Sequence, residues 1–277
     1  MIPLVAHFVK SHGLGNDYIV IDPAKVPFTV TAEAVQLICD RHRGVGSDGI
    51  LLVQPPRGAD FGVRIYNPDG SDAEKSGNGI RIFAKYLREH GYTTKEHFSI
   101  DTAGGRVGVQ LDIRGGRVVE VSADMGTVTF DALESIEVDG SRIAVTSLSI
   151  GNPHCVVIVE DLTKIDPRAL GPKIESHRTF PAKTNVQFAE VLSRSNIAIE
   201  IWERGAGYTL ASGTSSCAVA AAAHRKGLVD REVTVTMPGG ELAVTVGEDY
   251  AMRLRGPVEE VMVGDFSADL LRRLSSR

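Results

Sequence analysis

The chain has 277 residues, 43% of them hydrophobic, and its 30 Lys and Arg stand against 35 Asp and Glu for a formal net charge of −5. A chain of this length holds one large domain or two with separate cores, and its balance is that of an ordinary globular protein, with no basic excess to suit a nucleic acid. No apolar run reaches bilayer-spanning length, so no membrane is expected, and Met1-Ile2-Pro3 opens into a strand-like stretch without a signal peptide, which makes a cytoplasmic location the expectation.

In chain order, Leu4 to Lys10 reads as a strand and Tyr18 to Ile21 as another, with the loop S-H-G-L-G-N-D between them. Two glycines so close together free the backbone to approach a ligand. Thr31 is placed to cap a helix running to about His42, with Ala34, Val35 and Ile38 as its apolar face. The Gly-rich run Arg41 to Gly49 then turns into the strand Ile50 to Val53, and because no helix follows, its G-x-G is not a dinucleotide fingerprint. Arg41, His42 and Arg43 read as a solvated helix end.

Phe61, Val63 and Ile65 alternate as a half-buried strand should, and lead into N-P-D-G-S-D-A-E-K-S-G-N-G-I-R. The helix that follows, Gly77 to Glu89, carries Ile80, Phe83, Ala84 and Leu87 on one stripe. Strands are expected at Phe98 to Asp101, Arg106 to Ile113 and Val118 to Ala123. From Met125 to Gly140 the alternation is lost and acidic and small residues collect, which suits a domain connection.

Strands at Ala144 to Ile150 and Cys155 to Val159 frame G-N-P-H, and Pro167 to Arg178 is helix-like. T-N-V-Q-F from Thr184 leads to the strand Ile197 to Trp202 and the loop E-R-G-A-G. The helix from Gly213 to about Arg225 is rich in alanine and apolar around most of its circumference, so it belongs at the centre of a domain, wrapped by strands. Four strands, Val233 to Met237, Leu242 to Val246, Met252 to Leu254 and Val258 to Val263, precede a last amphipathic helix, Ser267 to Leu274. Cys39, Cys155 and Cys217 sit in apolar surroundings, too scattered for a disulfide framework or a zinc site, and the eight histidines show no metal-ligand spacing. No metal is expected.

The second half rewrites the first at an offset of 136 positions. Ser76 falls on Ser212, Gly15-Asn16 on Gly151-Asn152, Ile50 to Val53 on Val186 to Ala189, and Phe61, Val63 and Ile65 on Ile197, Ile199 and Ile201. A period this long predicts two related domains and not a solenoid. Two such halves facing each other would bring Ser76 and Ser212 to opposite walls of one cleft, each at the start of a helix whose free N–H groups and dipole favour an anion. A carboxylate held there would have a hydroxyl on each face of its α-carbon, the geometry of a racemase or epimerase. For either serine alone, the plain reading is a helix cap.

The motifs H-G-L-G-N-D-Y, N-P-D-G-S-D-A-E-x-x-G-N-G-I-R, G-N-P-H, T-N-V and E-R-G-A-G-x-T-L-A-x-G-T, in this order, resemble the diaminopimelate epimerase family over nearly the whole chain. The resemblance implies an α/β (α+β) fold of two pseudo-symmetric, strand-rich, barrel-like domains, each around a central helix. These are residues 1–128, joined by 264–277, and residues 129–263. It implies epimerisation of LL- to meso-diaminopimelate, on the way to lysine and peptidoglycan precursors, with no pyridoxal phosphate, metal or other cofactor. The partner is then a small-molecule amino-acid substrate, and family members often pair as homodimers.

By position, the resemblance gives substrate binding to Asn16, Asn67, Asn152, Asn185, Glu203 and Arg204, and carboxylate binding to the amides of Gly77, Asn78, Gly213 and Thr214. His154 and Glu203 correspond to residues that assist and orient the acid/base pair. Both positions that the family fills with catalytic cysteines hold serine here, Ser76 and Ser212, and Tyr208 stands where the family commonly has Glu. A thiol near pKa about 8.5 can exist as thiol and thiolate around neutrality, whereas a serine hydroxyl needs a neighbouring base. Three readings stay open: an epimerase altered or inactivated by the two serines; a diverged isomerase, racemase or dehydratase using His154 or Glu203; and a non-catalytic amino-acid-binding protein.

Overall fold

The computed structural model describes residues 7–275. The part of the first expected strand before His7 lies outside them. The chain divides into two units, Met1–Ala123 with Pro257–Arg277, and Asp124–Gly256.

The first stretch holds β1 (His7–Gly13), β2 (Asn16–Ile21), α1 (Ala32–Cys39), β3 (Ile50–Gln54), β4 (Phe61–Tyr66), β5 (Asp72–Ala73), α2 (Gly77–Glu89), β6 (His97–Thr102), β7 (Gly105–Arg114) and β8 (Arg117–Thr127). The chain continues through β9 (Thr129–Phe130), β10 (Ser135–Val138), β11 (Ser141–Ala144), β12 (Thr146–Ser149), β13 (Pro153–Val159), α3 (Pro167–Glu175), β14 (Asn185–Ser193), β15 (Asn196–Glu203) and β16 (Gly207–Thr209). Then come α4 (Gly213–Arg225), β17 (Glu232–Met237), β18 (Gly240–Val246), β19 (Ala251–Pro257), β20 (Glu259–Asp265) and α5 (Ala268–Ser275).

The repeat in the sequence is a repeat of strand pairing. β2 runs parallel to β3 with Ile19 opposite Ile50, as β13 runs parallel to β14 with His154 opposite Asn185. β3 and β4 are antiparallel, as are β14 and β15. β4 lies parallel to β6 across α2, as β15 lies parallel to β17 across α4. The last segment returns to the first unit, where β20 pairs with β1 and Leu274 of α5 joins the core around Phe8, Phe28 and Phe266.

Each unit wraps its strands around one helix. α4 is buried continuously from Gly213 to Ala223 and packs on β12, β13, β14, β15, β17 and β18, which only a helix of small side chains allows. α2 is also buried all round, from Gly77 to Leu87, although Arg81 and Lys85 interrupt its apolar residues. Its buried charges have partners: Arg81 donates to Asn78 Oδ1 at 2.9 Å, and Lys85 to Glu89 at 2.7 Å and to the Val118 carbonyl at 2.8 Å. Cys39, Cys155 and Cys217 are free thiols and buried.

Three local expectations are corrected. Helix α1 ends at Cys39 and not near His42, because the Asp40 carboxylate takes the His42 and Arg43 amides at 2.8 and 2.9 Å and turns the chain out of the helix. Arg41 is more than a solvated helix end, since its guanidinium bridges Asp17 at 2.9 Å and Asp48 at 2.7 Å. Residues 125–140 are largely strand: β8 runs to Thr127, β9 pairs with β12, and β10 forms a hairpin with β11 around Asp139 and Gly140, whose φ angles of 51° and 76° make the tight turn that matches strand twist. The division between the units falls inside β8 and β19, ahead of residues 128 and 264.

Candidate active site

In the first unit the site residues gather at the start of α2. Ser76 is extended, with φ −136° and ψ 118°, and its Oγ accepts the Gly79 amide at 3.0 Å and the Tyr18 phenol at 3.1 Å. The Gly77 and Asn78 amides then have no acceptor within the helix and point out at the positive end of its dipole. Gly79 is tightly packed here: a Cβ would lie 3.0 Å from Leu51 Cδ2 and 3.2 Å from Ser76 Cβ, so those neighbours would have to give by a few tenths of an ångström.

The Asn78 side chain, besides accepting from Arg81, donates to Asn16 Oδ1 at 3.1 Å, and Asn16 donates to Asp48 at 3.0 Å. Asp48 also accepts the Asp17 amide at 3.0 Å, so the G-N-D loop is tied to the turn before β3. Burial by itself would raise the Asp17 carboxyl, but hydrogen bonds from Arg41 and Lys10 leave it below the ordinary carboxylate value. Asn67 closes its own turn: its side chain donates to Ser71 Oγ at 3.0 Å and its carbonyl accepts the Gly70 amide at 3.0 Å.

In the second unit the start of α4 is built alike but capped more loosely. Ser212 Oγ lies 3.5 Å from the Ser215 amide and 3.5 Å from Thr214 Oγ1. Gly213 and Thr214 supply the amides that lack an acceptor inside the helix. His154 is fully buried, with Nε2 3.0 Å from Asn152 Oδ1 and Nδ1 3.0 Å from Gln187 Nε2, which also donates to Ser215 Oγ at 3.0 Å. A connected path runs from Asn152 through His154 and Gln187 to the first turn of α4. Burial pushes the His154 imidazole down to about 3, so it is neutral at physiological pH and both ring nitrogens are occupied. That arrangement suits a residue that orients its neighbours better than one that accepts a substrate proton.

The E-R-G-A-G loop is held from beneath. Asn185 donates to the Pro153 carbonyl at 2.9 Å and accepts the Arg204 amide at 3.0 Å. The buried Glu175 carboxylate accepts the Trp202 indole N–H at 2.8 Å and the Gly205 amide at 3.0 Å, with Lys183 at 3.3 Å. Burial would raise Glu175, and these three donors reverse it, leaving the carboxyl below its ordinary value. Glu203 ends β15 opposite Gly207, and the Arg204 guanidinium reaches the Ala182 carbonyl at 3.3 Å. The Tyr208 hydroxyl donates to Glu200 at 2.7 Å and its ring lies 4.0 Å under Arg168, so this substitution is absorbed by neighbours on its own strand pair and α3.

The structure thus brings Asn16, Gly77 and Asn78 together with Ser76, and Asn152 and His154 into hydrogen-bonded connection with the helix start at Ser212, Gly213 and Thr214. Asn185 and Arg204 form a separate cluster on the loop beside Glu203. Sequence reasoning missed Tyr18, Gln187 and Glu175. Tyr18 was accessible, because it stands 136 positions before His154, at the offset that relates the two serines. Among the described residues no group of three or more His, Cys, Asp or Glu is arranged to hold a metal, and no helix is long and apolar enough to cross a membrane.

The family model for diaminopimelate epimerase matches residues 8–130 and 146–266. The chain is 44% identical over 274 residues to "Diaminopimelate epimerase 2" of Nostoc sp. (strain PCC 7120), covering 95% of this chain and 96% of that protein. It is 41% identical over 281 residues to the diaminopimelate epimerase of Desulfitobacterium hafniense, covering 95% and 99%. Among solved structures, a hydroxyproline epimerase from Agrobacterium vitis superposes with a TM-score of 0.72 at 16% identity, over 100% of this chain and 99% of that one. A phenazine biosynthesis protein of the PhzF family from Bacillus anthracis superposes at 0.73 and 17% identity, over 95% and 99%; both likenesses bear on the fold alone. The chain belongs to the diaminopimelate epimerase family.

Proposed function

We propose that this chain is a cofactor-independent amino-acid epimerase of the diaminopimelate epimerase type, taking LL- and meso-diaminopimelate on the route to lysine, with proton exchange slowed by serine at Ser76 and Ser212. The observation that carries the reading is the duplicated helix start: in each unit a serine caps a buried helix through its own Oγ and leaves two amides for an anion. The amides of Gly77, Asn78, Gly213 and Thr214 are the candidates for the α-carboxylate. Asn16, Asn67, Asn152, Asn185, Glu203 and Arg204 hold the remainder of the substrate. Ser76 and Ser212 take the places of the family's acid/base pair.

The neutral, fully bonded His154 speaks against a diverged isomerase that uses it as general base. A cytoplasmic location and a homodimer belong to the same reading. Calorimetry with LL-diaminopimelate tests it: binding at about millimolar affinity or tighter is expected, weakened about tenfold or more when the α-carboxylate is converted to its amide. No heat at millimolar ligand, or equal affinity for the amide, contradicts it.

A further inference from the structure

Ser76 and Ser212 are not chemically equivalent. The Tyr18 phenol donates to Ser76 Oγ at 3.1 Å, whereas the neighbours of Ser212 Oγ among the described residues are the Ser215 amide and Thr214 Oγ1, both at 3.5 Å. Both are far weaker acids than a phenol. Tyr18 and His154 occupy matching places in the two units, each two residues past a Gly-Asn pair and each on a strand parallel to its neighbour, β2 on β3 and β13 on β14. Tyr18 touches its serine directly; His154 reaches the start of α4 only through Gln187 and Ser215.

We propose that Tyr18 is the residue through which Ser76 gives up and regains a proton, and that proton exchange at the substrate α-carbon runs through the Ser76 side alone. This rests on the functional reading above. In the forward step the Cα–H bond breaks and its proton joins Ser76 Oγ while the Ser76 proton passes to the Tyr18 phenolate, so negative charge moves from the phenolate oxygen to the α-carbon. In the return step Ser76 protonates that carbon and takes the Tyr18 proton, along the direction in which the observed hydrogen bond points.

Because Ser76 Oγ already accepts from Gly79 as well as Tyr18, its own proton is left to face outward. The charged and titratable groups on the surrounding elements include Asp17 on β2, Lys10 and His12 on β1, Asp48 before β3, Tyr66 on β4, and Lys75, Arg81, Lys85, Tyr86 and Glu89 at α2. Asp17 and Asp48 are already engaged by Lys10 and Arg41, and Arg81 by Asn78.

One consequence separates this from a two-sided mechanism. With a single working side, deuterium from heavy water enters one of the two isomers, LL or meso, faster than that isomer is inverted. Exchange also rises with pH, because the relay starts from the phenolate. The experiment is proton NMR of the α-position in heavy water from pH 7 to 10, with calorimetry at each pH to establish that the substrate is bound.

Tyr18→Phe should keep its affinity, lose about a hundredfold in exchange rate and lose the rise with pH. In a Ser76→Cys background Tyr18→Phe should cost less than about threefold, since a thiolate at a helix start needs no relay. Equal exchange in the chain and in Y18F, exchange always accompanied by inversion, or no exchange at pH 10 in a chain that binds would overturn the role of Tyr18 and leave the functional reading standing. Failure to bind at all would remove both.

Discussion

Glu175, at the end of α3, accepts the Gly205 amide at 3.0 Å and so fixes a loop that follows it by thirty residues. The same carboxylate takes the Trp202 indole N–H at 2.8 Å, and Gly171, one turn earlier, lies so close to that indole that a Cβ would be 2.5 Å from its Cγ. Glu175→Ala takes the acceptor from the part-buried Trp202 indole and from the Gly205 amide and should cost about 1 kcal/mol in urea unfolding. It should also weaken substrate binding, because Glu203 and Arg204 lose their footing. A variant as stable as the parent would remove the hub.

The acid limb of stability should carry the same signature. Glu175 has its folded pKa below the unfolded carboxylate value, so its contribution is present above the unfolded pKa of about 4.3 and is lost as pH falls through the folded value. Urea midpoints between pH 6 and pH 3 should fall more steeply for the parent than for Glu175→Gln. Parallel curves would contradict this.

His154 should behave in the opposite sense to an exposed histidine. With the folded imidazole pushed down to about 3 by burial, the unfolded state takes up a proton near about pH 6.5 that the native state refuses. The group therefore lowers stability as pH drops below that point. In nitrogen-15 NMR its ring resonances should not titrate between pH 8 and pH 5. A midpoint near 6.5 would show the ring open to solvent and restore it as a candidate base.

The two serine caps differ in length, 3.0 Å to Gly79 in α2 against 3.5 Å to Ser215 in α4. Ser76→Ala should cost about 1 kcal/mol by losing a short cap and the acceptor of the Tyr18 phenol. Ser212→Ala should cost less. Equal losses in urea unfolding would mean that the caps are energetically alike.

Much of this molecule was legible because duplication writes apolar residues at a fixed offset, and buried alternation leaves little freedom of register. The strand from Ile197 to Trp202 and the helix from Gly213 followed directly from such patterns. The β10–β11 hairpin was also readable, since Ile136 and Val138 alternate into Asp139-Gly140, but the acidic and small residues around it masked a turn signal with a definite mechanism. The end of α1 depended on where a single carboxylate, Asp40, spends its lone pairs.

Of the site, the helix starts and the asparagines stood in recognisable motifs, whereas Glu175 and Gln187 act across the fold. Nothing local marks a helix-end Glu as the anchor of a distant loop. Tyr18 differs from both: the 136-position offset pairs it with His154, while its hydroxyl bond to Ser76 is seen only in the structure.

On the proposed function, the binding apparatus is intact and the side chains at residues 76 and 212 limit the chemistry. This is tested most directly by α-proton exchange of LL-diaminopimelate in heavy water near pH 7.5, comparing the chain with its Ser76→Cys, Ser212→Cys double variant. Slow exchange is expected from the chain, and from the double variant a rate at least about a hundredfold higher, with LL and meso forms interconverting. Fast exchange by the chain as it stands, or a double variant that binds the substrate and gains nothing, would contradict it.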